Sequence, residues 1–307
     1  MKKFQAPQLA IAALLLMALI WGSTYVVLKG SLVRIPAADM LAVRFTLSLL
    51  TLIVFTWRQI FINRKILIQG TIMGILFGGS QLIQTVGLGM THASVSGFLT
   101  GTFVVFTPLI AKVIFGSKLA KNIWISVALS IIGLAVLSIT PGSTTNGFGL
   151  GEALTLLSAV GFAAHIIATG HFVTPENAIS LTIVQTAAVS VLCWLVALPG
   201  GVVIASTATD WGAILYLAVI AGAGTLFLQN WAQVYVESSK AAVIMCSEPM
   251  WAAFFAVAFG NESITWQMIV GGGAITLAML IVSQPALFRN PKSLISKTAD
   301  QTRVDCC

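Results

Sequence analysis

Glu248 stands about eight residues into an apolar run that extends from 240 to 260. A charge at that depth in a bilayer costs about 2.5–3.5 kcal/mol on insertion scales, so an acid kept there has a purpose. Three kinds of chemistry suit it: carrying a proton, countering the charge of a substrate amine, or capping backbone freed by the adjacent Pro249. Arg44 lies about seven residues into a second apolar run, 37–57. A guanidinium keeps its charge and requires a carboxylate, carbonyls or water. It either snorkels to the outer surface or meets a substrate carboxylate. His165, with Gly161 and Thr169 a turn to either side, is a proton relay or a neutral histidine at a helix interface. Gln81 and Gln84 share one helical face, and Gln229 and Gln233 share another with Asn230 beside them. Amides so placed bond helices together or line a cavity. Trp21 and Tyr25, one turn apart, flank an apolar substrate moiety or pack against lipid and core.

Other chemistries are missing from the sequence. No G-x-x-x-x-G-K-[ST] stretch occurs, so ATP does not drive this chain directly, and no H-E-x-x-H is present. The four cysteines have neither metal-ligand nor C-x-x-C spacing. No cofactor, metal, catalytic dyad or enzymatic activity is expected. Cys193 and Cys246 read as small apolar residues within spans. The Cys306–Cys307 end has the look of a double-prenylation signal, but reads as a solvated tail on a chain that its spans already anchor.

Residues of this kind must be held by membrane helices. The chain is 58% hydrophobic and 8% charged, against about 25% charged in a soluble domain, and its mean hydropathy is +0.98. A helix needs about 20 apolar residues to cross a bilayer core. Spans are expected at 8–29, 37–57, 67–89, 93–115, 123–140, 150–172, 178–198, 211–232, 240–260 and 265–284. In lipid each backbone N–H and C=O must be paired within its own segment, so all are helices. The formal charge of +7 reports topology and not a nucleic-acid partner. Lys2, Lys3, Arg58, Arg64, Lys65, Lys118, Lys121, Lys240 and the basic residues of the tail fall on one side, whereas Arg34 falls in a loop on the other. By the positive-inside rule both termini are cytoplasmic.

The polar connector Pro141–Gly149 divides the spans into five and five. Because five is odd, the second half enters the bilayer upside down relative to the first. At an offset of 145, Ala93-Ser94 lies over Ser238-Ser239 and Ser138 over Ser283; at 141, Trp21-Gly22 lies over Phe162-Ala163 and Arg44 over Gln185. The expected layout is a first repeat at 1–140, an outer connector at 141–149, a second repeat at 150–285 and a cytoplasmic tail at 286–307. Two prolines lie inside spans, Pro108 and Pro249, each in the fourth span of its half. Each removes a helix hydrogen bond, from the carbonyls of Val104 and Met245, and is a kink or a gating hinge. Pro108 stands about one helical turn further along its span than Pro249 does. Gly74-x-x-x-Gly78, Gly97-x-x-x-Gly101 and Gly271-Gly272-Gly273 read as close-packing faces.

The segment 228–267 (LQNWAQVYVESSKAAVIMCSEPMWAAFFAVAFGNESITWQ) resembles the second-half signature of the EamA family of the drug/metabolite transporter superfamily. The features that carry the resemblance are Gln229, Gln233, the small residues Ser238–Ala242, Glu248-Pro249 and Gly260-x-Glu262. In the first half they are IWGSTYVVLKG (20–30), Arg44 and HASVSGFLTGTFVVFTPLIAKVIFG (92–116). Gly116-Ser117-Lys118 departs from the Gly-Glu-Arg that the family often has after span four. The resemblance implies ten helices in two inverted five-helix repeats, and alternating access. It also implies export or exchange of a small metabolite such as an amino acid or amine across the inner membrane. Glu248, Arg44, His165, Trp21, Tyr25, Gln84, Gln229 and Gln233 are the candidates for its site, with a proton as a coupling ion and a monomer or homodimer as the unit. The residues leave a lipid flippase and a non-transporting sensor or scaffold open as alternatives.

Overall fold

The computed structural model describes residues 6–116, 121–137, 149–245 and 247–282. The expectations for Lys2, Lys3, Ser117-Lys118, Ser138, Cys246 and Ser283, most of the central connector, and the tail with Cys306 and Cys307 lie outside them. The described residues form thirteen α-helices and no strand. These are α1 (Ala6–Leu32), α2 (Ala37–Thr56), α3 (Arg64–Met90), α4 (Ala93–Gly101), α5 (Phe103–Phe115), α6 (Lys121–Leu137) and α7 (Leu150–Phe172). The remainder are α8 (Ala178–Ala197), α9 (Ala208–Leu215), α10 (Thr225–Tyr235), α11 (Ser238–Met245), α12 (Glu248–Phe259) and α13 (Gly273–Val282).

Seven helical stretches are long and apolar enough to cross a membrane: 6–32, 37–59, 64–90, 93–114, 150–172, 178–200 and 208–235. Three shorter apolar helices, Trp124–Gly133, Glu248–Phe259 and Met268–Ala278, complete the described set. Large apolar side chains such as Phe55, Val113, Ile131 and Phe259 cover the outside, as a lipid-facing surface requires.

The helices approach one another through small residues. A Cβ placed on Gly74 of α3 would fall 2.5 Å from Ala188 Cβ and 2.6 Å from the Gln185 carbonyl of α8. One placed on Gly97 of α4 would fall 2.5 Å from Ala252 Cβ of α12. The principal packing pairs are α3 with α7 and α8, α2 with α8, α1 with α10 and α12, α4 with α12, and α6 with α13.

Between α9 and α10 the backbone widens into a π-helical stretch, Tyr216–Gly224. A π turn shifts the hydrogen-bond ladder by one residue and presents carbonyls to neighbours. Ser48 Oγ of α2 donates to the Ala218 carbonyl at 2.8 Å, and two donors of the site described below take others.

One end of the bundle is tied by acids. Asp210 of α9 receives Arg34 through Nε at 3.0 Å and Nη2 at 2.5 Å. Glu262 closes the N-terminus of α4, accepting from Ala93 N at 2.7 Å and Ser94 Oγ at 2.5 Å, with His92 Nδ1 at 3.8 Å. Burial pushes the Glu262 carboxyl up, but its contacts with His92, Ser94 and the Ala93 N–H outweigh this and hold it down to about 2. The same carboxylate raises the His92 imidazole. Glu152 of α7 accepts from Thr91 Oγ1 at 2.5 Å, so residues 91–94 are held by two acids from far along the chain.

Candidate functional site

Two apolar stretches that look uniform in sequence are each interrupted midway by a tight turn, at Thr102 and at Ser247, whose backbone stays in the αR region. α4 ends at Gly101 and α5 begins at Phe103; α11 ends at Met245 and α12 begins at Glu248. At the first break, Thr102 turns back on itself, its N–H and Oγ1 both donating to the Leu99 carbonyl at 3.1 and 2.6 Å. Pro249 is the second residue of α12, where a missing N–H is tolerated because no helix partner was available to it. Pro108 lies inside α5, well beyond the Thr102 break.

Glu248 therefore opens a helix. The positive end of α12 favours its carboxylate, and the side chain is buried. Its carboxylate meets a side chain: Tyr25 Oη donates to Glu248 Oε1 at 2.9 Å. Gln84 Nε2 donates to the Tyr25 oxygen at 3.0 Å and to Thr100 Oγ1 at 2.8 Å. Four helices, α1, α3, α4 and α12, thus contribute one group each to a continuous chain. Buried polar groups linked in this way specify a single arrangement and are costly to leave half-satisfied.

Arg44 does not reach the surface; it is 2% exposed. Nε donates to the Leu217 carbonyl at 3.1 Å and Nη2 to the Ala221 carbonyl at 3.4 Å, both in the π stretch. Nη1 is buried and has no hydrogen-bond partner among the described residues. Trp21 Nε1 donates to the same Ala221 carbonyl at 3.2 Å and to Thr225 Oγ1 at 2.7 Å. The π stretch is thus the anchor for both Arg44 and Trp21.

His165 Nε2 lies 3.1 Å from Gln185 Oε1 and 3.3 Å from Thr169 Oγ1. Its ring is 5.0 Å from that of Phe77, centroid to centroid. Gln229 Nε2 donates to Gln233 Oε1 at 3.3 Å, and Gln233 Nε2 to the Ile166 carbonyl at 3.1 Å.

One cavity unites most of these groups. Trp21, Tyr25, Arg44, Gln84, His165, Gln229 and Glu248 all line it; Gln233 stands behind, bonding Gln229 and α7. The cavity offers about 30 Å³, room for a water or two. The breaks contribute residues that the sequence did not single out, Thr100 and Phe103 on one side and Met245 on the other. Their type carries no signal, since Thr, Phe and Met are ordinary in apolar spans. Their positions beside the two breaks are the only clue.

A model described as the EamA-like transporter family matches residues 8–139 and again 149–284. The chain belongs to this family. An "Uncharacterized transporter" of Archaeoglobus fulgidus is 33% identical over 270 residues, covering 88% of this chain and 84% of that one. The "Uncharacterized inner membrane transporter YedA" of Escherichia coli is 24% identical, covering 88% and 89%. The "Biotin transporter" of Escherichia coli is 24% identical over 213 residues, covering 66% and 69%. A solved crystal structure superposes with a TM-score of 0.66 at 17% identity, covering 89% of this chain and 95% of its own, a likeness of fold. This EamA-like protein is a helical membrane protein, and family and relatives place it among transporters, not enzymes.

Proposed function

We propose that the protein is a secondary transporter working by alternating access. It exports or exchanges a small amphipathic metabolite, such as an amino acid or amine, across the inner membrane with a proton as coupling ion. The observation that carries this reading is the convergence of a buried acid, a buried arginine with a free nitrogen, and aromatic and amide groups on one cavity at the breaks of two helices. Secondary carriers bind substrates near mid-membrane, at the interface of their repeats. Glu248 can hold a proton or an ammonium group, but not both at once, which is the condition for obligatory exchange. Arg44 Nη1 suits a carboxylate.

The architecture behind this mechanism is ten helices in two inverted repeats, 1–140 and 150–285, joined by the outer connector 141–149, with the tail 286–307 and both termini cytoplasmic. Two matches of one family model along the chain support it. So does the packing: exchanging the halves turns the α3–α7 pair into α1–α10, and α1–α12 into α5–α7, all of them observed contacts. The relative named as an inner membrane transporter supports the location.

The test is counterflow in proteoliposomes loaded with amino acids, primary amines or biotin, the last because one relative bears that name. Uptake of an amine or amino acid that responds to an imposed pH gradient is expected. No flux of any amine or amino acid in either direction overturns the proposal.

A further inference from the structure

The cavity lining follows the two offsets at which the halves match in sequence. At 141, Trp21 pairs with Phe162, Thr24 with His165 and Tyr25 with Ile166. At 145, Gln84 pairs with Gln229, Thr100 with Met245 and Phe103 with Glu248. All of these residues line the cavity. The helix boundaries keep the second offset: α4 starts at Ala93 and α11 at Ser238, while the breaks fall at Thr102 and just before Glu248.

The paired positions differ in chemistry. Glu248 is surrounded by Tyr25, Gln84 and Thr100, joined by hydrogen bonds of 2.8 to 3.0 Å. The counterparts of those four residues are Phe103, Ile166, Gln229 and Met245. Phe103, Ile166 and Met245 belong to a single buried apolar cluster with Phe77 and Phe162. Gln229 turns its amide nitrogen away, to Gln233.

We infer that the cavity has two unlike poles built from duplicated positions. The pole at Glu248 takes a substrate's amine, and the pole at Phe103, Ile166 and Met245 takes its side chain, which is small and apolar. This rests on the transport reading above and adds the residues that set specificity. A single acid between the two halves also orients the substrate, because none of the counterparts Phe103, Ile166, Gln229 and Met245 carries a charge to pair with an ammonium group.

The experiment compares isosteres that share a backbone and differ at the side chain, valine against threonine. Binding is measured by competition on the purified full-length protein in nanodiscs. An apolar pocket discriminates against an added hydroxyl by about 100-fold, so a preference for valine of about 10- to 100-fold is expected. Met245→Thr and Ile166→Thr, tested separately, each shrink that ratio to within a few-fold of one. Glu248→Gln weakens both ligands and leaves the ratio in place. Each variant is first checked for a monodisperse elution profile, and either pole variant alone decides the matter if the other fails to fold. A wild-type ratio near one or below it overturns the inference. So does a ratio that neither pole variant moves while Glu248→Gln removes binding; that result leaves the transport reading standing. Absence of both binding and flux for every amino acid and amine overturns the two together.

Discussion

Gly22 is where α1 meets α12, and replacing it with alanine tests how Glu248 is held. A Cβ there would lie 2.4 Å from Trp251 Cβ, 2.9 Å from Ala252 N and 3.0 Å from the Trp251 carbonyl carbon. Carbon atoms pack at about 3.5–4.0 Å, so the two helices must part by about 1 Å. None of the three contacts is the far end of a flexible side chain, so no rotamer change relieves them. Gly22 stands one turn before Tyr25, and Ala252 one turn after Glu248. The parting therefore acts directly on the 2.9 Å bond between Tyr25 and Glu248. Overpacking of this kind costs about 1–3 kcal/mol. The comparison is Gly79→Ala, where an added Cβ meets nothing within 4 Å and alanine is the better helix former by about 1 kcal/mol. Both variants are followed by thermal unfolding in mild detergent and by proteoliposome flux. Gly22→Ala is expected to melt earlier and to lose most of its flux, while Gly79→Ala melts at or above the wild type. Equal melting and equal flux for the two would refute the reasoning.

Glu248→Gln keeps an acceptor for the Tyr25 hydroxyl but can hold neither a proton nor an ammonium charge; flux driven by a pH gradient should vanish, and wild-type rates with unchanged pH dependence would retire Glu248 as the coupling residue. Arg44→Leu removes the charged donors to the Leu217 and Ala221 carbonyls. Ala221 keeps Trp21 Nε1 and Thr225 Oγ1, so the expected loss is that of the Leu217 bond, about 1.5–3 kcal/mol for a hydrogen bond to a charged group. A melting curve indistinguishable from wild type would contradict that role. The contact between Glu262 and His92 predicts a pH window for the start of α4. The Glu262 contribution is complete above its ordinary value and is lost as pH falls toward about 2. The His92 contribution is complete below its ordinary value and is lost as pH rises through its raised value. Protection of the Ala93–Ser96 amides from hydrogen exchange, corrected for intrinsic rates, should peak between about pH 4.3 and 6.5, and a flat profile would be a failure.

Most of the helices were legible because apolar run length and the need to pair every backbone group leave one solution in lipid. The break at residues 91–92, the starts of α7 and α8 and the close-packing role of Gly74, Gly78 and Gly97 all agree with the structure. The interruptions at Thr102 and before Glu248 were not legible. The two internal prolines pointed to the correct spans, but Pro108 lies a turn and a half past its break. The π stretch at Tyr216–Gly224 has no sequence mark either, since apolar and small residues suit α and π turns alike.

The candidates themselves were visible as polar residues in apolar runs. Trp21, Tyr25, Arg44, Gln84, His165, Gln229 and Glu248 stood out because burial in lipid makes each one costly. Their sequence context left Arg44 free to snorkel and Glu248 free to cap backbone. Whether it does so depends on what faces it, and here the facing groups are the carbonyls of Leu217 and Ala221 for one and the Tyr25 hydroxyl for the other. These partners lie more than 170 residues away along the chain. The sequence by itself determined that this is a bundle of membrane helices carrying a few expensive polar groups, because those follow from local composition and bilayer thickness. Only the tertiary structure decided that an acid and an arginine share one cavity, because helix depth and rotation are set by contacts between distant segments and not by any segment alone.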